Sequence, residues 1–365
     1  MNLTRRPQSG SERDERATLL VVGDTNIVGR ADAAEAFAAV RDVFDAADAV
    51  VGQMEGMLTD PSPEPETRPD IPFKPWWRHS ERHVAAGLRR AGFSAVGAAS
   101  NVAYPNAACV HTAEACAAAA LPCAGVGRNE AEARAPALFQ VGSARGALLC
   151  YTSVFHPNVM PAAPDSPGCA TLRAHTAYVP GRRALEMPGD PPDVSTWADP
   201  AALEAMRADI RAARERADVV ILSCHWGVSS SPVTHDYQRE IARAAAAAGA
   251  DLIFGHHPHV IHGAEMLAGP RGDVPVFYSL GNFAFDGWKM RGRNLDGLAL
   301  RVAITGGRVA GLDVLPCRRG EDNLVRVLDP LDDDGVRIMA RLRALTEALG
   351  GRAPMLDTAP LEARP

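Results

Sequence analysis

The sequence predicts an α/β protein in which helices cover a β-sheet. Two observations predict this class. Short apolar runs alternate with stretches of helical apolar spacing, and polar side chains stand where the apolar runs end. Open α/β sheets bind their ligands at the carboxyl ends of the strands. The same alternation therefore predicts where a functional site lies.

The individual elements follow from the spacing of apolar residues along the chain. The predicted strands cover residues 17–22, 49–54, 94–99, 137–140, 147–151, 219–223, 251–254, 274–279, 298–305 and 308–315. The predicted helices cover residues 32–47, 81–91, 110–120, 200–217, 236–248 and 333–349. Residues 156–197 are rich in Pro, Gly, Asp and Ser and predict a long irregular excursion.

The chain is expected to form one large domain with polar ends. Residues 1–16 predict a disordered N-terminal tail, residues 17–330 the α/β domain, and residues 331–365 a C-terminal helix and tail. A hydrophobic content of 47% over 365 residues supports a real core and excludes a chain that is disordered throughout. The segment TDPSPEPETRPDIPFKPWW is too proline-rich for regular structure and predicts a flap over an active site.

Composition and charge exclude several classes of function. A formal net charge of −6 argues against a protein whose main partner is the phosphate backbone of nucleic acid. No apolar run approaches the ~20 residues of a membrane span, and the N-terminus lacks the pattern of a secretory signal. Seven cysteines without a CxxC pair predict reduced thiols. We therefore expect a cytoplasmic protein with a small-molecule or peptide substrate and no nucleic-acid or membrane partner; its oligomeric state stays open.

Five successive strand ends present a potential metal ligand. The ligands in question are Asp24, Glu55, Asn101, His225 and the pair His257 and His259. Carboxylate and amide oxygens together with imidazole nitrogens suit Mn²⁺, Fe²⁺ or Zn²⁺, and one carboxylate can bridge two ions. The pattern predicts a site for one or two divalent cations per chain. Considered alone, Asp24 is also typical of a helix-capping or turn residue, and His225 is also typical of a hydrogen-bonded histidine in a protein core.

Six segments together resemble the CapA-like (capsule or poly-γ-glutamate synthesis) branch of the calcineurin-like metallophosphoesterases. They are VVGDTN, VVGQMEG, AASN, ILSCHWG, GADLIFGHHPHVIHGAE and VPVFYSLGNFAFD. The resemblance implies a four-layer αββα fold over residues 17–330 and a dinuclear metal centre. It also implies that Glu55 is the bridging carboxylate and that a metal-bound hydroxide attacks a phosphoryl or acyl centre. The remaining ligands it implies are Asp24, Asn101, His225, His257 and His259.

The chain departs from this family around the implied ligands. Ala103 stands where the family has the histidine that protonates the leaving group or steadies the transition state, and Gln53 replaces the asparagine before the bridging acid. A proton-transfer group is typically worth ~10²–10⁴ in rate. Other residues that could supply the proton are Tyr104, His111, His235 and His256. We take Tyr104 and His256 as the candidate catalytic residues, although a structural role for His256 fits equally well.

Three functions fit the sequence. The chain is a hydrolase of phosphoester or amide bonds with a different proton donor, an enzyme of non-hydrolytic chemistry in natural-product or polyglutamate biosynthesis, or a metal-binding protein without catalysis. Trp76 and Asn282 are the candidate substrate-binding residues; Trp76 also fits a hydrophobic plug, and Asn282 a turn. The absence of a GxxxxGK[ST] or GxGxxG phosphate loop disfavours an ATP-driven ligase.

Overall fold

The computed structural model describes residues 16–59, 77–290 and 292–354. The predicted tail up to residue 15 and most of the proline-rich segment, including Trp76, lie outside these residues. Arg16, the last residue of the predicted tail, is instead the first residue of a strand and pairs with Thr305.

The strands alternate with helices through most of the chain. They are β1 (Arg16–Asn26), β2 (Ala49–Met54), β3 (Leu58–Thr59), β4 (Ser80–Glu81), β5 (Phe93–Gly97), β6 (Cys123–Ala124), β7 (Val126–Gly127), β8 (Ala137–Val141), β9 (Ala144–Thr152), β10 (Gly168–Cys169), β11 (Ala174–Val179), β12 (Asp193–Ala198), β13 (Val219–His225), β14 (Leu252–His256), β15 (Ala264–Gly269), β16 (Gly272–Phe277), β17 (Asn282–Phe285), β18 (Asp296–Thr305), β19 (Arg308–Arg319) and β20 (Val325–Val327).

The helices agree with the apolar spacing most closely in the second half of the chain. They are α1 (Arg41–Asp45), α2 (Val84–Ala91), α3 (Asn106–Ala118), α4 (Glu130–Arg134), α5 (Pro200–Arg214), α6 (Asp236–Ala248) and α7 (Asp333–Leu349). The predicted bounds of α6 and α7 are confirmed. The predicted helix over residues 32–47 is divided, because Ala33–Val40 winds as a 3-10 helix before α1 begins.

Two mixed sheets form the centre of the fold. The first has the strand order β20-β19-β18-β1-β2-β5-β6, with β17 beside the end of β1, and the second has the order β15-β16-β14-β13-β9-β8. Within the first sheet β1, β2 and β5 are parallel, and within the second β9, β13 and β14 are parallel. The carboxyl ends of each parallel set therefore lie along one edge of its sheet.

The alternation of side chains along β13 defines the layers. Ile221 belongs to the core between the two sheets, whereas Leu222 packs with Met206 of α5 on the outer face. On the outer face of the first sheet, the ring of Phe93 lies 5.2 Å from that of Phe37 and 5.5 Å from that of Phe44. Helices thus cover the outer face of each sheet, and the four-layer αββα sandwich is confirmed.

The irregular excursion predicted for residues 156–197 is wrong in part. This segment contains β10 and the hairpin of β11 and β12, in which Ala174 pairs with Ala198 and Val179 with Asp193. Most of the hairpin is exposed or half-buried, so it carries little of the apolar signal on which strand prediction depends.

Candidate metal centre

The ends of strands from both sheets meet at one place. Asp24 lies in the last part of β1, Glu55 follows β2 directly, and Asn101 follows β5. From the second sheet, His225 ends β13, and His257 and His259 follow β14. Burial is nearly complete for most of them, with Asp24 and His225 0% exposed and His259 4% exposed.

Two overlapping groups of these side chains have the geometry of a cation site. Asp24, Glu55 and His259 form one group, and Glu55, His225 and His257 form the other; within each, the potential ligand atoms lie within 4.8 Å of one another. Glu55 belongs to both groups. The amide nitrogen of Asn101 lies 3.2 Å from Nδ1 of His257, beside the second group. Asp24, His225 and His256 form a third such group, and each of the three groups could hold a metal ion.

The carboxylate of Asp24 shows that the centre fits a cation. Its Oδ2 accepts a hydrogen bond of 2.8 Å from the backbone N–H of His257, while its buried Oδ1 has no hydrogen-bond partner. Burial, followed by the charge of Glu55, raises the pKa of Asp24 well above its usual value. A buried carboxylate without full compensation is costly. A divalent cation bound at Oδ1 would supply that compensation.

Close backbone packing positions the ligands. A Cβ atom on Gly255 would lie 2.2 Å from both the indole nitrogen of Trp226 and the carbonyl oxygen of Tyr278, so only glycine fits before the histidines. Immediately afterwards, His257 and His259 adopt φ angles of 91° and 57°. Non-glycine residues rarely adopt this left-handed conformation, and it concentrates at functional sites. The strained turn after β14 is thus a feature of the candidate site.

Asn282 lies inside the site as a partner of a candidate ligand. Its Oδ1 is 2.9 Å from Nδ1 of His259, and β17 pairs with β1 so that Asn282 lies opposite Asp24. The sequence singled out this residue as a substrate contact, and that role stays a prediction. The contact that the structure shows is one that orients the imidazole of His259.

The two candidate catalytic residues occupy different positions. His256 is 0% exposed, with Nε2 lying 2.7 Å from Oγ of Ser223 and Nδ1 lying 3.0 Å from Nδ1 of His225. Its pKa is lowered by burial and by His259. Tyr104 is 4% exposed, burial raises the pKa of its phenol, and its carbonyl oxygen lies 2.8 Å from Nε2 of His79. Proton transfer by either residue stays a prediction.

The loop that carries Asn101 has no acid or base at position 103. The Ala103 side chain is 0% exposed, and its carbonyl oxygen accepts from the Cys109 thiol. Of the other proposed donors, His111 lies on α3, and His235 stands at the N-terminus of α6.

Sequence reasoning missed several supporting residues. The amide of Asn26 donates to the carbonyl oxygen of Glu55 at 2.7 Å, and one ring nitrogen of His79 lies 3.3 Å from the backbone nitrogen of Met57. Asn26 shares a strand end with Asp24, which is a signal that the sequence offered. The sequence indicated His79 only as part of a possible cationic wall beside Trp76; its contacts with Met57 and Tyr104, 22 and 25 positions away, were not predicted.

A cavity of about 820 Å³ lies close to this strand end. Its wall includes Arg30 and Asp286. The guanidinium of Arg30 donates one hydrogen bond of 2.7 Å to each carboxylate oxygen of Asp286. The backbone N–H of Asp286 donates to the carbonyl oxygen of Asn26 at 2.7 Å. The cavity therefore adjoins the end of the strand that carries Asp24.

The fold and the site define an α/β sandwich protein with a candidate metal centre. The chain belongs to the family described as bacterial capsule synthesis protein PGA_cap, whose model matches residues 5–287. The predicted family is therefore confirmed. No helix in the described ranges is long and apolar enough to span a membrane.

Known proteins with related sequences include two capsule proteins. The chain is 48% identical over 80 residues to PGA biosynthesis protein CapA of Bacillus subtilis, covering 22% of this chain and 20% of that protein. It is 36% identical over 121 residues to capsule biosynthesis protein CapA of Bacillus anthracis, covering 33% and 28%. The matches thus span less than a third of either relative.

A phosphatase structure from Mycoplasma pneumoniae aligns with a TM-score of 0.44 and 11% identity, covering 88% of this chain and 96% of that one.

Proposed function

We propose that this protein is a metal-dependent hydrolase that cleaves a phosphoester or amide bond in a small-molecule or peptide substrate. One observation carries the proposal: Glu55 belongs to two groups of potential ligands, one with Asp24 and His259 and one with His225 and His257. A carboxylate shared by two ligand groups would bring two ions close together, as in the sites of two-metal hydrolases.

The donor set favours Mn²⁺, Fe²⁺ or Zn²⁺, with one or two ions per chain. Such ions, when bound, supply Lewis acidity to the bond that is cleaved and lower the pKa of a water nucleophile. The protein's own contribution is to hold the ligands rigidly. Asn282 orients His259, and the backbone N–H of His257 fixes one oxygen of Asp24. Burial of the ligands limits competing solvation of the charged atoms.

The substrate class to test first is a γ-glutamyl amide. The two capsule relatives are a PGA biosynthesis protein and a capsule biosynthesis protein, which supports a peptide-like substrate for this chain. Phosphomonoesters and phosphodiesters are the second class, because two-metal centres are common among phosphatases. A cytoplasmic location is part of the proposal, and the seven free cysteines support it.

The second candidate function has two forms. The protein either binds metal without catalysing a reaction, or it catalyses a non-hydrolytic reaction in biosynthesis. The observation in its favour is Ala103, a buried methyl group at a position where the related family has a proton donor. A reaction whose leaving group needs no protonation would not require that donor.

The test uses the full chain, purified without chelator. Metal content per chain is measured, and turnover of γ-glutamyl amides, aryl phosphates and phosphodiesters is followed with each of the three metals. We expect His257→Ala to lose both metal and turnover. The control is His175→Ala, which removes a histidine stacked on Trp197 in the exposed hairpin. Bound metal without turnover on any substrate class would favour the second candidate, and a protein that binds no metal would contradict both.

A further inference from the structure

The imidazole of His79 joins two separate segments of the chain through their backbone atoms. Its Nδ1 lies 3.3 Å from the backbone nitrogen of Met57, and its Nε2 lies 2.8 Å from the carbonyl oxygen of Tyr104. A backbone N–H can only donate and a carbonyl oxygen can only accept, so Nδ1 accepts from Met57 and Nε2–H donates to Tyr104. His79 is 4% exposed, so bulk water has little access to either contact.

Both of the joined segments begin at a candidate ligand. Met57 follows Glu55 by two positions, and Tyr104 follows Asn101 by three. The strands before these segments, β2 and β5, are parallel neighbours in the first sheet, so the two segments leave the same sheet edge. His79 therefore links the segment of Glu55 to the segment of Asn101.

The link acts on a segment that contains a flexible position. Gly56 follows Glu55 directly and has a φ angle of 149°, and glycine is the residue with the greatest backbone freedom. Before this position, the amide of Asn26 donates to the carbonyl oxygen of Glu55 at 2.7 Å. After it, His79 accepts from the N–H of Met57. Contacts on both sides of Gly56 therefore restrict the backbone that carries the Glu55 carboxylate.

The position of this carboxylate affects more than one group of potential ligands. Glu55 belongs to one group with Asp24 and to another with His225, so a displacement of its backbone would disturb both. None of the three groups contains His79. Residues that orient ligands without binding the ion typically change metal affinity by 10–100-fold when they are removed.

We propose that His79 is a positioning residue that holds the segment of Glu55 to the segment of Asn101 and thereby raises the affinity of the centre for a divalent cation. It acts through the backbone of Met57 and Tyr104 and does not bind the cation itself. The inference rests on the proposed function only in that Glu55 and Asn101 belong to the metal centre. The link between the two segments is a property of the metal-free protein.

The first test measures the link by amide hydrogen exchange in chelator-treated protein. In His79→Asn the side-chain oxygen can still accept from Met57, whereas in His79→Gln the longer side chain can still donate to Tyr104. We expect exchange at the Met57 amide to be about 2–10-fold faster than in the wild type for His79→Gln, and close to the wild type for His79→Asn. At the Tyr104 amide we expect the reverse. Wild-type rates at both amides in both variants would overturn the link.

The second test is the affinity for Zn²⁺, measured by competition with a chelator. His79→Leu removes both contacts and should weaken zinc binding by about 10–100-fold, and His79→Asn and His79→Gln should each cause a smaller loss. Thr346→Val is the matched control. Thr346 is also buried and its Oγ1 accepts from a backbone N–H, but that N–H belongs to Ala264, outside the segments of Glu55 and Asn101.

Two outcomes of the zinc measurement would overturn the proposal. One is an unchanged affinity in His79→Leu, and the other is an equal loss in His79→Leu and the control, which would indicate a general loosening of the fold. If His79→Leu does not fold, His79→Asn and His79→Gln are compared with the control in the same way. A wild-type protein that does not bind zinc would instead contradict the proposed function, and the exchange rates would still decide the link.

Discussion

The backbone N–H of His257 donates a 2.8 Å hydrogen bond to the carboxylate of Asp24, although 233 positions separate the two residues in the chain. The bond joins the end of β1 in the first sheet to the turn after β14 in the second. It holds one carboxylate oxygen and leaves the other without a hydrogen-bond partner. The two sheets are thus held together at the point where the candidate ligands meet.

Removing the partner of His259 should weaken metal binding. Asn282→Ala leaves the imidazole without the amide oxygen that lies 2.9 Å from its Nδ1. Loss of such a partner typically costs 10–100-fold in metal affinity, and we expect about that loss for Zn²⁺ or Mn²⁺ in a chelator competition. Asn129→Ala, which removes the N-cap of α4 away from the site, is the control. An Asn282→Ala protein with unchanged affinity would show that the contact does not support a ligand.

Divalent metal should stabilise the fold, and a chelator should reverse the effect. Without a cation, burial and then the charge of Glu55 oppose ionisation of Asp24 and raise its pKa. A ligand present at a hundredfold excess over its Kd adds about 2.7 kcal/mol to the free energy of unfolding. We expect urea denaturation to show a gain of this order on addition of Mn²⁺ or Zn²⁺, and little gain for Glu55→Gln. An equal gain in the variant would place the bound metal elsewhere.

Stability of the metal-free protein should rise between pH 5 and pH 7, in part because of His262. Burial lowers the pKa of His262 to about 4, whereas the unfolded chain has a histidine pKa of about 6.5. Between these values the unfolded state binds more protons, so stability rises with pH and is lost as the pH falls from about 6.5 towards 4. The contribution between pH 5 and pH 7 is about 2 kcal/mol.

The measurement for His262 is urea denaturation of chelator-treated protein at both pH values. His262→Gln should show a smaller gain than the wild type by about that amount, since glutamine does not titrate. His262 lies outside the candidate ligand set, and its ring nitrogens contact Thr234 and the carbonyl oxygen of Ser231. Equal gains in both proteins would mean that His262 titrates normally in the folded state.

The Arg319 side chain should stabilise the conformation of the segment that follows β17. Its guanidinium is 0% exposed and donates to the carbonyl oxygens of Phe285, Met290, Arg293 and Asn294. Arg319→Met would leave these acceptors without the donor and should cost about 1–3 kcal/mol in the free energy of unfolding for each carbonyl oxygen that stays buried and unsatisfied. Faster proteolysis within residues 285–294 is the second readout. Arg326→Met, which removes a surface ion pair with Asp322, should cause no comparable loss.

The sequence by itself determined the fold class and the identity of the residues that meet at the site. The apolar spacing of residues 236–248 and 333–349 was sufficient because these helices bury one stripe against the protein and expose the other. Polar residues at the ends of apolar strands were sufficient to predict Asp24 and Glu55 as neighbours, because parallel strands of one sheet end at a common edge.

Only the tertiary structure decided how these residues divide into two groups that share Glu55. Which ring nitrogen faces which partner depends on contacts such as Ser223 with His256 and Asn282 with His259. Such contacts depend on the packing of one sheet against the other and on the positive φ angles after β14. Apolar periodicity records which face of a strand is buried, but it carries no information about the distance or angle between two buried polar side chains.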